Sequence, residues 1–339
     1  MTGKERVRAA FKGQQPDRVP CYPIVSGLAG TLIGARPGDY YRDLGKMADA
    51  QLALYEELKQ DVVVLMADLF LETEAMGAQV EFPDDDTPRL RSYLLADDKG
   101  KLASLKCPDP AKSGRLPAYF DACKKVGGAV KESPVGGVLC GPWTLAVNLR
   151  GAENLIVDTA TDPAFVHDLM RFTVEVAKEM GAATAAAGVG LSLSEAPASC
   201  SLISPKIFKE FVLPYERDLV GHLREKRIGL TLHVCGFIDP VMDMIVETGA
   251  AAISMDEPSS LEKMLAAAKG KMVAVGNVST GVFVNGTFED IDAEIKRCLE
   301  VARGNAGFIL ASGCEISPRG DLDKVKYFCE RAAVLGKLD

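Results

Sequence analysis

His233, Val234 and Cys235 close an apolar run, IGLTLHVCG, and this triplet is the part of the sequence best equipped for chemistry. In a strand, residues two apart share a face, so the imidazole and the thiol can converge on one point. Cys314 ends a second apolar run, GFILASGC. Two thiolates and one imidazole form a soft three-donor set suited to Zn²⁺, with a fourth position open to an exchangeable ligand. The chain has three histidines, and His233 is the one at the end of an apolar run. His167 and His222 fall in amphipathic stretches and read as surface or interhelical residues. A free cysteine at a strand end is also an ordinary core residue, so spacing alone leaves metal binding and packing both open.

Other polar residues end apolar runs in the same way. Glu195, in LSLSEAPAS, reads as a fourth zinc ligand displaced by substrate, as a general base, or as a solvated salt-bridge partner. Asp68, in MADLF, follows the same logic and is a catalytic candidate. Asn277 and Trp143 are the candidates for contact with a large cofactor. Trp143 is the sole tryptophan, and its flat ring serves equally well to anchor a loop. Hydrolase readings find no support, because neither a G-x-S-x-G elbow nor an H-E-x-x-H pair occurs.

These residues need a frame that gathers strand ends. Eight short apolar runs provide one: Val19–Val25, Asp61–Ala67, Val135–Trp143, Gly188–Glu195, Ile228–Cys235, Ala250–Asp256, Met272–Asn277 and Gly307–Gly313. Amphipathic segments of helical length separate most of them, among them Leu202–Lys226, Pro240–Thr248, Leu261–Ala268 and Ile291–Arg303. Eight strands alternating with helices point to a (β/α)₈ TIM barrel, whose chemistry sits at the C-terminal ends of its strands. The competing doubly wound sheet would favour a glycine-rich phosphate loop, and neither G-x-G-x-x-G nor G-x-x-x-x-G-K-[ST] is present. Residues 78–117 interrupt the alternation. They read as an extended β-hairpin insertion after strand 2, with AQVEF and RLRSYLL as its arms, and as a largely solvated excursion. Without a linker or a repeat, residues 1–339 form a single domain.

Composition narrows the function classes. A net charge of −8 argues against a nucleic-acid binder working by bulk electrostatics. Nine cysteines without a repeating framework fit a reducing compartment in which most thiols are core residues. The N-terminal stretch is charged and no apolar run is long enough to span a bilayer, so a cytoplasmic, membrane-free protein is expected.

Several segments together resemble the uroporphyrinogen decarboxylase superfamily. They are R-x-x-A-A-F-K-G…P-D-R-V-P from Arg6 to Pro20, DVVVLMADLFLETEAMGAQVEF, GPWTLA, SLISPKIFKEFVLPYERDLV, the LHVCG region and GNV. The superfamily is known for (β/α)₈ barrels. Its decarboxylase branch carries an arginine-rich F-M-R-Q-A-G-R-Y segment after the first strand, where this chain reads CYPIVSGLAGTLIGARPGDYY. That branch also has a histidine where Cys314 stands, although Asp68 matches its pyrrole-gripping aspartate. An acidic chain without the arginine clamp is a poor host for an octacarboxylate. His-x-Cys with a distant Cys is instead similar to the zinc-dependent corrinoid methyltransferases, and His233, Cys235 and Cys314 fit that signature. Glu315 departs from it, since glycine is frequent there. The resemblance implies a zinc enzyme moving a methyl group between a corrinoid protein and a small thiol or methoxylated substrate. A porphyrinogen carboxy-lyase is the alternative. The corrinoid is expected on a partner protein, because no D-x-H-x-x-G signature occurs in this chain, and a homodimer is allowed.

Overall fold

Eight parallel strands close almost completely into a barrel, in a computed structural model that describes residues 1–338. In chain order the strands are β1 (Cys21–Tyr22), β2 (Val63–Leu65), β3 (Val80–Glu81), β4 (Arg89–Leu90), β5 (Val135–Cys140), β6 (Gly190–Ser194), β7 (Leu230–Val234), β8 (Ala252–Met255), β9 (Val273–Val278) and β10 (Phe308–Ser312). The barrel runs β1-β10-β9-β8-β7-β6-β5-β2. At the seam between β1 and β2, the Asp61 amide donates to Cys21 O at 3.0 Å. All eight apolar runs of the sequence become barrel strands, and the alternation with helices is as expected.

Most strands are shorter than their apolar runs, and two of them are cut short for local reasons. β1 is confined between Pro20 and Pro23, neither of which has an N–H for the ladder. β5 stops at Cys140 because Gly141 and Pro142 start a helix, Pro142–Arg150, with proline at its first turn. Trp143 is therefore helical and not a strand-end residue.

The helices pack outside the barrel through one large apolar core, while a second, smaller core fills the barrel's lower interior. Tyr22, Val273, Val275 and Ile309 form that inner plug, and Ala10 and Val7 of the N-terminal helix, Gly3–Phe11, close it from below. Asp61 fixes this floor. It accepts from Arg6 at 3.0 Å, from Arg18 at 2.6 and 3.1 Å, and from the Cys21 amide at 2.8 Å. The Arg6-to-Pro20 motif thus has a physical role, which is to anchor the N-terminal segment to the start of β2.

The excursion after β2 contains the expected antiparallel hairpin, but its ladder has two residue pairs, Val80↔Leu90 and Glu81↔Arg89. It is also less solvated than expected. Leu95 and Leu116 are fully buried. The Gly38 amide donates to Asp84 O at 2.8 Å, and a Cβ at Gly38 would lie 2.1 Å from Pro83 O, so only glycine permits this approach. The segment lies against the barrel mouth. A further irregularity falls in the long segment after β6, where a π-turn at Phe208–Val212 precedes Pro214. Proline cannot donate the helical hydrogen bond and crowds the preceding turn, which accounts for the wider winding there. No helix among the described residues is long and apolar enough to cross a membrane.

Candidate metal centre

The end of β7 carries His233 and, one residue past the strand, Cys235, both turned toward the barrel axis. The loop after β10 brings Cys314 to the same point. His233 Nε2 lies 3.0 Å from Cys235 Sγ and 3.5 Å from Cys314 Sγ, and the two sulfurs are 3.3 Å apart. Among the described residues this is the one cluster of its kind, with the three donor atoms within 4.8 Å of one another. His233 Nδ1 sits 3.0 Å from Ser254 Oγ on β8. With Nδ1–H donated there, the Nε2 lone pair faces the sulfurs, as a metal-binding imidazole requires. Tetrahedral Zn²⁺ with bonds of about 2.0–2.3 Å separates its donors by roughly 3.3–3.8 Å. The residues therefore fit the ion after shifts of a few tenths of an ångström.

The electrostatics suit the same ion. Hydrogen bonding from Cys235 lowers the Cys314 thiol to about 4 against the opposing effect of burial, and His233 adds to the lowering. Cys235 is pushed up by the neighbouring Cys314 and by burial. Burial disfavours protonated His233, but the Cys314 charge outweighs it and raises the imidazole's pKa. A thiolate thus sits against a thiol and an imidazole, and a divalent cation bound there displaces the protons between them.

Below the cluster opens a cavity of about 320 Å³, lined by His233, Cys235, Cys314, Asp68 and Glu315 among others. Asp68 does reach the mouth. Its Oδ1 accepts from the Phe70 amide at 2.8 Å. Its Oδ2 lies 2.8 Å from Arg115 Nη2 in an ion pair not aligned as a hydrogen bond. Burial raises the Asp68 pKa and Arg115 opposes the rise. Arg115 itself comes from the end of the excursion, which sequence patterning has no means of pairing with Asp68. Glu315 accepts from Tyr41 Oη at 2.9 Å, and burial pushes its carboxyl up to about 7. Asp256, at the end of β8, accepts from the Gly236 amide at 2.9 Å and so braces the loop carrying Cys235.

The remaining sequence candidates lie elsewhere. Glu195 is buried, and its carboxylate accepts from the Trp143 and Thr144 amides at 2.9 and 2.8 Å and from Thr144 Oγ1 at 3.0 Å. It caps the helix Pro142–Arg150, where orphan N–H groups and the helix dipole favour an anion. The structure does not bring it to the cluster, so the expected ligand role gives way to a supporting one. Trp143 is fully buried in the outer core and away from the cavity lining. Asn277 is also fully buried. Its Nδ2 donates to Asp256 O and Ser259 O at 3.2 and 3.0 Å, and its Oδ1 accepts from Arg297. It ties the β8 loop to an outer helix, and the expectation that either residue lines a cofactor site is corrected accordingly. His167 is interhelical as expected, with Nδ1 2.8 Å from Tyr215 Oη. Of the seven other cysteines, four are buried core residues, whereas Cys107 is exposed and Cys200 and Cys329 are half-buried.

A parallel barrel with donors converging at its C-terminal mouth defines a class, and the comparisons agree with it. Residues 2–334 match the family model described as Uroporphyrinogen decarboxylase (URO-D), and the chain belongs to that family. Within it, the chain is 27% identical to "Methylcobamide:CoM methyltransferase MtbA" of Methanosarcina mazei, over 96% of each chain. It is 25% identical to "Uroporphyrinogen decarboxylase" of Xanthomonas axonopodis pv. citri, over 99% of this chain and 100% of that one. A solved structure titled "methyltransferase from Methanosarcina mazei" shares the fold, with a TM-score of 0.89, 24% identity and 99% of each chain covered.

Proposed function

We propose that this protein is a zinc-dependent methyltransferase, moving a methyl group between a corrinoid carried on a partner protein and a small thiol or methoxylated molecule. The observation that carries this reading is the convergence of His233 Nε2, Cys235 Sγ and Cys314 Sγ beside a cavity. Three protein donors leave a fourth position for an exchangeable group. Zinc held there supplies Lewis acidity, turning an incoming thiol into a thiolate at neutral pH or polarising the oxygen of a methyl ether.

The chain's own groups prepare that position. Ser254 holds the orientation of the imidazole ring, Asp256 steadies the loop carrying Cys235, and the inner apolar plug keeps bulk water from reaching the sulfurs from below. Asp68, held by Arg115, presents one fixed carboxylate to the small molecule from the opposite wall. At the rim, Leu202 is 55% and Phe237 38% exposed. The Phe237 amide donates to Ser201 Oγ and its carbonyl accepts from the Cys200 amide, so both apolar side chains stand on one joined pair of loops beside the mouth. That is a fitting contact for the corrinoid protein. Porphyrinogen decarboxylation is the weaker reading, since a 320 Å³ cavity whose charged lining is Asp68 and Glu315 suits no polycarboxylate.

Metal analysis tests the proposal. Protein purified without chelators should carry about one zinc per chain, as a three-donor site requires. A folded, metal-free protein that fails to take up added zinc would overturn it.

A further inference from the structure

The cavity beneath the sulfurs is unevenly walled. Inward positions of such barrels are ordinarily filled by stacked branched side chains. Here β5, β6, β7 and β8 turn Gly136, Ser192, Thr231 and Ser254 to the lumen, while Val64 and Met66 face it from the β2 side. Gly136 is the most informative of these. A Cβ placed on it meets no atom within 4 Å, so the absent side chain is matched by empty space and not by a neighbour. A strand glycine facing a void fits close approach by a ligand.

Size and charge define that ligand. A cavity of roughly 150 Å³ accommodates benzene, and the space here is about 320 Å³. One substituted ring fits, with its reactive group reaching the sulfurs. The charged lining residues are both acidic, Asp68 and Glu315, with no lysine or arginine among the described lining residues. An anionic substituent would find no free cation in this low-dielectric enclosure, since the nearby Arg115 is already paired with Asp68 and Glu74.

On the methyl-transfer reading above, we infer that the small molecule this centre serves carries its reactive sulfur or oxygen on an uncharged aromatic ring or one carbon away from it. A thiol bearing a sulfonate is rejected. The ring lies against the flat patch left by Gly136, with Val64 and Met66 as the apolar wall.

Calorimetric titration of the zinc-loaded, full-length protein, with no corrinoid protein present, tests this directly. Phenylmethanethiol should bind at least about tenfold more tightly than 2-mercaptoethanesulfonate, a difference of about 1.4 kcal/mol. Equal or tighter binding of the sulfonate overturns the inference and leaves the zinc centre standing. Tighter binding of a trimethylammonium thiol overturns it in favour of a cationic carrier. Failure to hold zinc at all overturns the underlying reading instead. Gly136→Leu should weaken phenylmethanethiol about tenfold or more without changing zinc content, and Gly136→Ala, which adds one methyl to open space, should act in the same direction more mildly. Unchanged affinity in a folded Gly136→Leu protein would place the ring elsewhere and sink the proposal.

Discussion

At the floor of the barrel Asp61 accepts hydrogen bonds from two arginines and a backbone amide, whereas Asp68 at the mouth, and Glu72 and Glu216 on the surrounding helices, each keep an oxygen without a hydrogen-bond partner. The residue types are alike and the burial is alike, so composition does not explain the contrast. A buried carboxylate with several donors stabilises the fold, while one lacking donors is pushed toward its protonated form. Glu216 is the extreme case. Burial and the neighbouring Glu195 charge drive its carboxyl well above the usual range. The floor is built to hold and the mouth to be poised, as the separation of stability and chemistry in such barrels predicts.

That contrast can be broken from either end. The largest effect belongs to the mouth. Cys314→Ala or Cys235→Ala should lower zinc from about one per chain to near none, with little change in far-ultraviolet circular dichroism. At the floor, Asp61→Ala should cost about 3 kcal/mol or more in urea unfolding, because it leaves Arg6 and Arg18 facing a vacated buried site. Its zinc content should be unchanged; a loss of metal would show that floor and mouth are not separable.

Glu72 sharpens the comparison through pH. Burial raises it to about 7, against the opposing hydrogen bond from the Cys140 amide. The folded state therefore holds this proton more tightly than the unfolded chain, and stability contributed by the protonated form is lost as pH rises from about 4.5 through 7. The loss is at most about 3 kcal/mol. Glu72→Gln should flatten that dependence in denaturation curves measured across the window, and an unaltered pH profile would contradict the assignment. The smallest effect is expected at the rim, where Phe237→Asp should slow methyl transfer with the corrinoid protein by about tenfold or less. Zinc content and small-thiol affinity should remain unaffected.

The legible parts of the sequence are those governed by period and by strand ends. Alternation places His233 and Cys235 on one face, and the apolar run before Cys314 carries it to the same mouth. Asp68 is legible for the same reason. Residues whose roles depend on the next element along the chain, or on a distant one, escape that pattern. Trp143 continues the apolar run of β5, yet the helix start at Gly141–Pro142 turns it outward, and Glu195 serves the amides of that same helix. Arg115 and the Tyr41–Glu315 pair are contacts between distant segments, and no local pattern announces them. Asn277 ends an apolar run as a site residue would, yet its amide faces outward to hold a loop.

The plug formed by Val7, Ala10 and Tyr22 has a kinetic consequence. This plug closes the cavity from below, and a corrinoid protein docked over the rim would stopper it from above. The small molecule must then enter before docking and leave after release. On the proposed function, turnover would be compulsory-ordered, with the protein partner second on and first off. Product-inhibition patterns should report that sequence, and a random-order pattern would mean that the floor opens during the cycle.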